Sequence, residues 1–104
     1  MEKVAVIHTA FEDKPSTVAF VEMPDDAETL TDKLEFAYRW TQNIMDSWSL
    51  KMPADGNDKV TVIGDTKGGT LGIRSTSVGD QMLVGNKKYV VGMVGFETLE
   101  GEKI

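Results

Sequence analysis

Thr29-Leu30-Thr31-Asp32-Lys33-Leu34-Glu35-Phe36-Ala37-Tyr38-Arg39-Trp40-Thr41-Gln42-Asn43-Ile44 is the stretch on which the fold class turns. Leu30, Leu34, Ala37, Tyr38, Thr41, Ile44 and then Met45 recur at helical spacing, which is the apolar stripe of an amphipathic helix. Asp32, Lys33, Glu35, Arg39 and Gln42 cover the other face. Thr29 followed by Asp32 predicts a capping box in which Asp stands in for Glu or Gln. The pattern predicts a helix that starts near Thr29 or Thr31 and runs to Ile44.

On both sides of this helix the chain reads as strand. Residues 3–10 and 17–23 are rich in β-branched side chains. Between them, Glu12-Asp13-Lys14-Pro15 is turn chemistry, so the two strands should pair as an antiparallel hairpin. Pro24-Asp25-Asp26 ends the second. After the helix, residues 43–58 are irregular and contain Trp48, expected to pack back on the core as an anchor. Residues 59–63 form a third strand, residues 64–72 a glycine-rich loop, and residues 73–77 an extended segment. Gln81–Val84 and Lys88–Val94 should make a hairpin across Gly85-Asn86-Lys87, since Gly and Asn tolerate the positive φ of tight turns. Phe96–Leu99 is a terminal strand, and residues 100–104 are expected to fray. The fold class is therefore α+β. A single domain over residues 1–104 is expected, β-β-α-β-β-β with one extra short strand. Its curved antiparallel sheet, or partly open barrel, carries one helix on its apolar face. Phe20 and Phe96 are assigned to the core.

Composition narrows the function classes. The chain has 104 residues, no cysteine, and a net charge of −6 from 17 acidic and 11 basic residues. Disulfides, thiolate metal sites and thiol catalysis are excluded. The acidic balance opposes general nucleic-acid binding, which needs a basic face. No apolar run is long enough for a secretory leader or a membrane span, so a cytoplasmic protein without membrane contact is expected. Glu22, Asp25, Asp26, Glu28, Asp32 and Glu35 fall together in residues 22–35. They read as a solvated loop and helix start, or alternatively as an acidic face that mimics DNA or docks a basic partner.

No catalytic, metal or cofactor signature emerges. His8 is the single histidine and sits in an apolar strand. Asp55-Gly56-Asn57-Asp58 lacks the spacing of a calcium loop and reads as a turn. In residues 64–72 the lysine precedes the glycines, and no helix follows, unlike a phosphate-binding loop. Ser75, Thr76 and Ser77 could supply hydroxyls to His8, but no serine sits on a strand-turn-helix elbow. Lys87-Lys88-Tyr89 is a miniature of a single-strand nucleic-acid platform. The densest polar stretch is Arg74-Ser75-Thr76-Ser77-Val78-Gly79-Asp80. It reads as a structural turn with Arg74 paired to Asp80 or to an acid near the helix, and Gly79 at the bend. Otherwise it is a recognition patch formed by Arg74, Ser75, Ser77 and Asp80.

Two motifs carry a resemblance. Ala37-Tyr38-Arg39-Trp40-Thr41-Gln42-Asn43-Ile44 with Trp48 is the first. Arg74-Ser75-Thr76-Ser77-Val78-Gly79-Asp80 with Tyr89-Val90-Val91 and Gly95-Phe96 is the second. Over residues 20–99 the chain resembles small uncharacterised proteins of bacteriophages, plasmids and integrated mobile elements, and more distantly YodL-like domains. The resemblance implies a setting inside a bacterial host and carries no activity with it. Together these readings lead to the expectation of a non-enzymatic, cytoplasmic module without cofactor that binds a host or phage protein. An acidic DNA-mimic or anti-host-defence inhibitor and a small single-stranded nucleic-acid binder are the alternatives. A homodimer would follow if the Gln81–Val94 hairpin lay at a sheet edge.

Overall fold

In the computed structural model, which describes residues 2–63 and 72–104, the strands are β1 (Lys3–His8), β2 (Ser16–Glu22), β3 (Val60–Val62), β4 (Gln81–Val84), β5 (Lys87–Val91) and β6 (Phe96–Thr98). The helix α1 (Leu30–Arg39) lies between β2 and β3 in the chain. The six strands form one open antiparallel sheet in the order β3-β2-β1-β4-β5-β6. The domain is α+β with one helix, as its periodicities require. The stretch weighed as a phosphate cradle lies outside the described residues up to position 71. Among the described residues, no helix is long and apolar enough to cross a membrane.

Strand register decides which side chains meet α1. Val6 pairs with Ala19 but Ile7 with Thr17, so Val18 is an extra residue in β2 and forms a bulge. Two consecutive residues of β2, Val18 and Ala19, are therefore both buried. Val4 and Val6 of β1 share a core with Ala19, Val21, Val60, Met82, Val91 and Phe96, against Leu34 and Ala37 of α1. Phe20, between the core residues Ala19 and Val21, points to the opposite sheet face, where it pairs with Ala5; it is 38% exposed, not a core residue as expected. Phe96 is in the core.

The predicted capping box is formed. The Asp32 N–H donates to Thr29 Oγ1 at 3.0 Å, and the Thr29 N–H donates to Asp32 Oδ2 at 3.4 Å. Such a cap is worth about 1 kcal/mol. The helix nevertheless stops at Arg39, short of the expected Ile44. The Thr41 hydroxyl donates back to the Ala37 carbonyl at 2.8 Å and the chain turns away. Beyond that turn Ile44 and Met45 are 62% and 82% exposed, so the apolar stripe does not continue through them. Short polar and β-branched side chains compete for helix backbone groups in this way. Trp48 is fully buried, as an anchor should be.

The β4–β5 hairpin turns on Gly85, φ +63°, and Asn86. It is interior: β1 flanks β4 and β6 flanks β5. The outermost strands are β3 and β6, and the outer side of β6 is occupied by residues 102–104, with Glu97 bridged to Lys103. β5 ends at Val91, not at Val94, and Met93 and Val94 project from the β5–β6 turn, 89% and 76% exposed. Residues 100–104, expected to fray, fold back instead. The Thr98 N–H donates to the Glu102 carbonyl at 2.8 Å, and the Ile104 N–H to the Phe96 carbonyl at 3.0 Å. Residues 73–77, expected to be extended, join no sheet.

Candidate functional site

The Arg74–Asp80 stretch is held from three sides. Asp80 is fully buried just before β4, and its carboxylate accepts from the N–H groups of Thr9 at 2.8 Å, Ala10 at 2.9 Å and Ser77 at 2.7 Å. Arg74 Nη1 and Nη2 donate to the same carboxylate at 2.7 and 2.9 Å. Arg74 also grips Glu12 with Nε at 3.2 Å and Nη2 at 2.8 Å, and Nη1 reaches the Ser75 carbonyl at 2.9 Å. Its guanidinium lies 4.9 Å from the Phe11 ring centroid. Burial alone would raise the Asp80 carboxyl. The Arg74 guanidinium and the N–H groups of Ala10, Ser77 and Thr9 outweigh burial and hold it down at about 2. Glu12 is lowered by the same arginine, and Arg74 is raised above its ordinary range, mainly by Asp80.

Ser75 and Ser77 are likewise engaged. Ser75 Oγ accepts from the Asn43 N–H at 2.8 Å, and Ser77 Oγ donates to the Ser75 carbonyl at 3.2 Å. Of the four residues read as a recognition patch, the structure brings all together but places Asp80 beneath the surface and uses the polar groups of each internally.

His8 stands beside this network without forming a catalytic set. Its Nε2 is 3.0 Å from Thr76 Oγ1 and 3.9 Å from Asp80 Oδ2. The direction of the hydrogen bonds is fixed from the far end. The Ala37 carbonyl can only accept, so Thr41 donates to it. Thr41 Oγ1 then accepts from Thr76 at 2.8 Å, and Thr76 accepts from His8 Nε2–H. A base that activates a hydroxyl would run the other way, with its carboxylate partner on the second ring nitrogen. Burial holds the His8 pKa below the ordinary value, Asp80 opposing and Arg74 reinforcing the shift.

The two sequence motifs named above are one unit in space. The Thr76 N–H donates to the Thr41 carbonyl at 3.0 Å, and Gln42 Nε2 to the Thr76 carbonyl at 2.9 Å. Asn43 Nδ2 donates to the Ile73 carbonyl at 3.1 Å, and Trp48 Nε1 to the Arg74 carbonyl at 3.0 Å. The extended segment thus straps the end of α1 to the end of β1.

A second carboxylate hub escaped the sequence reading. Asp55 is buried, and its Oδ2 accepts from three consecutive N–H groups, Ile44 at 3.1 Å, Met45 at 2.7 Å and Asp46 at 2.6 Å. Arg39 donates to Oδ1 at 3.3 Å. The N–H of Asp46 first, then those of Met45 and Ile44 with Arg39, hold this carboxyl below its usual range. The only signal in the sequence was the Asp55-Gly56-Asn57-Asp58 cluster, which is also what any turn looks like.

The acidic group divides. Glu22 pairs with Lys59 at 3.5 Å, and Asp32 caps α1. Asp25, Asp26, Glu28 and Glu35 are exposed and join no ion pair among the described residues. Lys33 is committed to Glu2 at 2.8 Å. On the outer face of α1 a cleft of about 360 Å³ is lined by Asp26, Asp32, Glu35, Phe36, Arg39 and Trp40. Phe36 and Trp40 lie 6.4 Å apart, centroid to centroid. Arg39 stacks over Trp40 at 4.1 Å while reaching Asp55. A second cleft, of about 260 Å³, runs along the other side of Glu35 between Tyr38, Phe96 and Met93.

Tyr89 is half-buried with Lys87 and Lys88 exposed beside it, and Glu100 shares their cleft. Among the described residues, no group of three His, Cys, Asp or Glu side chains could hold a metal ion. No protein-family model matches the chain, nor does any curated protein or solved structure.

Proposed function

We propose that the protein is a non-enzymatic protein-binding module whose docking surface is the outer face of α1, not the Arg74–Asp80 stretch. The observation that carries this reading is the cleft of about 360 Å³ in which exposed Asp26, Asp32 and Glu35 border Phe36 and Trp40. Half-buried aromatic side chains bordered by exposed carboxylates around a concavity are a combination that interfaces use. The polar groups of Arg74, Ser75, Ser77 and Asp80 are engaged internally, which supports assigning that stretch to scaffold. The reversed hydrogen-bond direction at His8 supports a non-enzymatic role. On the resemblance drawn above, the partner would be a protein of a bacterial host or of the phage, met in the cytoplasm.

The exposed Asp25, Asp26, Glu28 and Glu35, which join no ion pair among the described residues, favour one second reading, a DNA-mimic that occupies a nucleic-acid-binding surface. A photo-crosslinking side chain installed at Thr31 or Glu35, with a control at Phe20 on the opposite sheet face, tests the surface. Adducts to a single protein from the α1 positions alone are expected in nuclease-treated bacterial extract. Adducts from Phe20 alone would move the surface to the open sheet face, and adducts from neither would remove the binding-module reading. Competition of the α1 adduct by duplex DNA would select the mimic.

A further inference from the structure

Glu35 stands on a ridge with a cleft on either side. One slot is walled by Phe36 and Trp40, the other by Tyr38, Phe96 and the projecting Met93. Tyr38 and Phe96 meet edge to face at 6.1 Å, which fixes the floor of the second slot. The charge on this surface is one-sided. Asp26, Asp32 and Glu35 line the clefts, whereas the cation within them, Arg39, lies on Trp40 and is drawn to Asp55. Two clefts with aromatic walls, separated by a carboxylate, suit a ligand with the inverse pattern.

Resting on the α1 docking reading, we infer that the surface takes a basic segment of a partner protein, in which one Arg or Lys lies over Glu35 and apolar side chains on either side fill the two slots. Asp26 and Asp32 receive further basic residues at the end nearer the start of α1. The apolar anchors supply the buried contact and the carboxylates supply orientation and choice of partner. A purely polycationic chain leaves the slots empty, and a purely apolar one leaves the carboxylates without partners.

Amide NMR titration of the full chain with three synthetic peptides tests this. The first carries an Arg between two Leu residues within Lys flanks. The second replaces its basic residues by Gln, and the third replaces its Leu residues by Ser. Saturable shifts confined to residues 26–40 and 91–96 are expected with the first peptide, at an affinity about tenfold or more above either control. Glu35→Lys should lower that affinity about tenfold, and Met93→Ser should lower it less, since both side chains are exposed and the fold is unaffected. Equal binding of the first and third peptides would overturn the two-slot pattern, and equal binding of the first and second would overturn the basic one. Absence of saturable shifts with all three would overturn the inference. Shifts of the same amides on raising protein concentration alone would assign the face to a second copy and overturn it too. Crosslinking from Thr31 or Glu35 decides the docking surface independently, so a wrong peptide class and a wrong surface are distinguishable.

Discussion

Arg74 holds Asp80 through both carboxylate oxygens, at 2.7 and 2.9 Å, with the arginine 27% exposed and the aspartate completely enclosed. The pair is asymmetric in consequence. Removing the buried partner leaves a cation and three backbone N–H groups facing an empty site; removing the arginine leaves a carboxylate still met by those N–H groups. Asp80→Ala should destabilise by about 3–5 kcal/mol and Arg74→Ala by about 3 kcal/mol. Glu12→Gln, at a partly exposed pair, should cost about 1 kcal/mol or less. Urea denaturation with linear extrapolation gives the ranking, and Asp80→Asn serves where the alanine variant does not fold. A Glu12 variant as damaging as the Asp80 variant would contradict the assignment of the buried carboxylate as the hub.

The same network sets the acid response. His8 has a lowered pKa in the fold, so below its unfolded value of about 6.5 the unfolded chain binds the proton more readily, and stability falls as pH drops from there toward the folded pKa. The charges facing its ring are Asp80, Arg74 and Glu12. Asp80 is depressed, so its contribution is complete above about 4 and is lost as pH falls through about 2. That second loss amounts to about 2 kcal/mol. Unfolding free energy measured across pH should show two separate declines, and His8→Gln should remove the upper one while leaving the lower. A single decline below pH 4 in the wild-type protein would show that His8 takes up its proton equally in the folded and unfolded states, so that burial does not disfavour its charged form.

Local patterns were legible where a side chain's role depends on its neighbours in sequence. The Thr29–Asp32 cap, the β1–β2 hairpin and the Gly85 turn are all of this kind, and Trp48 was legible by its size alone, though its partner, the Arg74 carbonyl, is distant. The reading failed where the partner is distant. Thr41 to Met45 continue the helical spacing in sequence, but Ser75 and Thr76, more than thirty residues on, bind Asn43 and Thr41 and take the chain out of the helix. Phe20 is an apolar aromatic of the kind that fills cores, but it alternates with the buried Ala19 and Val21 and so lies on the other face, paired with Ala5. Arg74 pairing with Asp80 was among the readings of the motif, whereas the contribution of Glu12 depends on the β1–β2 turn folding over it.

Asp55 behaves as a bound anion would in a cradle of backbone N–H groups. Its replacement by Ala should leave the sheet and α1 intact and loosen the loop around it. The expected result is loss of hydrogen-exchange protection at Ile44, Met45 and Asp46, with near-ultraviolet dichroism of Trp48 reduced and far-ultraviolet dichroism kept. Added formate or acetate should restore part of the protection by taking the vacated position. Unchanged exchange at those three amides would mean that the carboxylate is not what orders the loop.

Two glycines separate conformational strain from crowding. Gly79 has φ +98° and a side chain there would meet Ala10 Cβ at 3.3 Å, whereas Gly85 has φ +63° and nothing within 4 Å. Gly85→Ala therefore carries the left-handed penalty alone, about 1 kcal/mol. Gly79→Ala adds contact with Ala10, whose N–H binds Asp80, and a shift of the Gly79 carbonyl, which accepts from the Thr9 hydroxyl at 2.8 Å. Any displacement at 79 thus moves both the backbone that holds Asp80 and the residue adjacent to it. Gly79→Ala should cost about 2–3 kcal/mol and should also raise the pH at which the lower acid decline begins, because the Asp80 carboxyl loses part of its N–H shell. Equal costs for the two alanine variants, with the acid profile unchanged, would show that the bend at 79 is not what aims the N–H groups at Asp80.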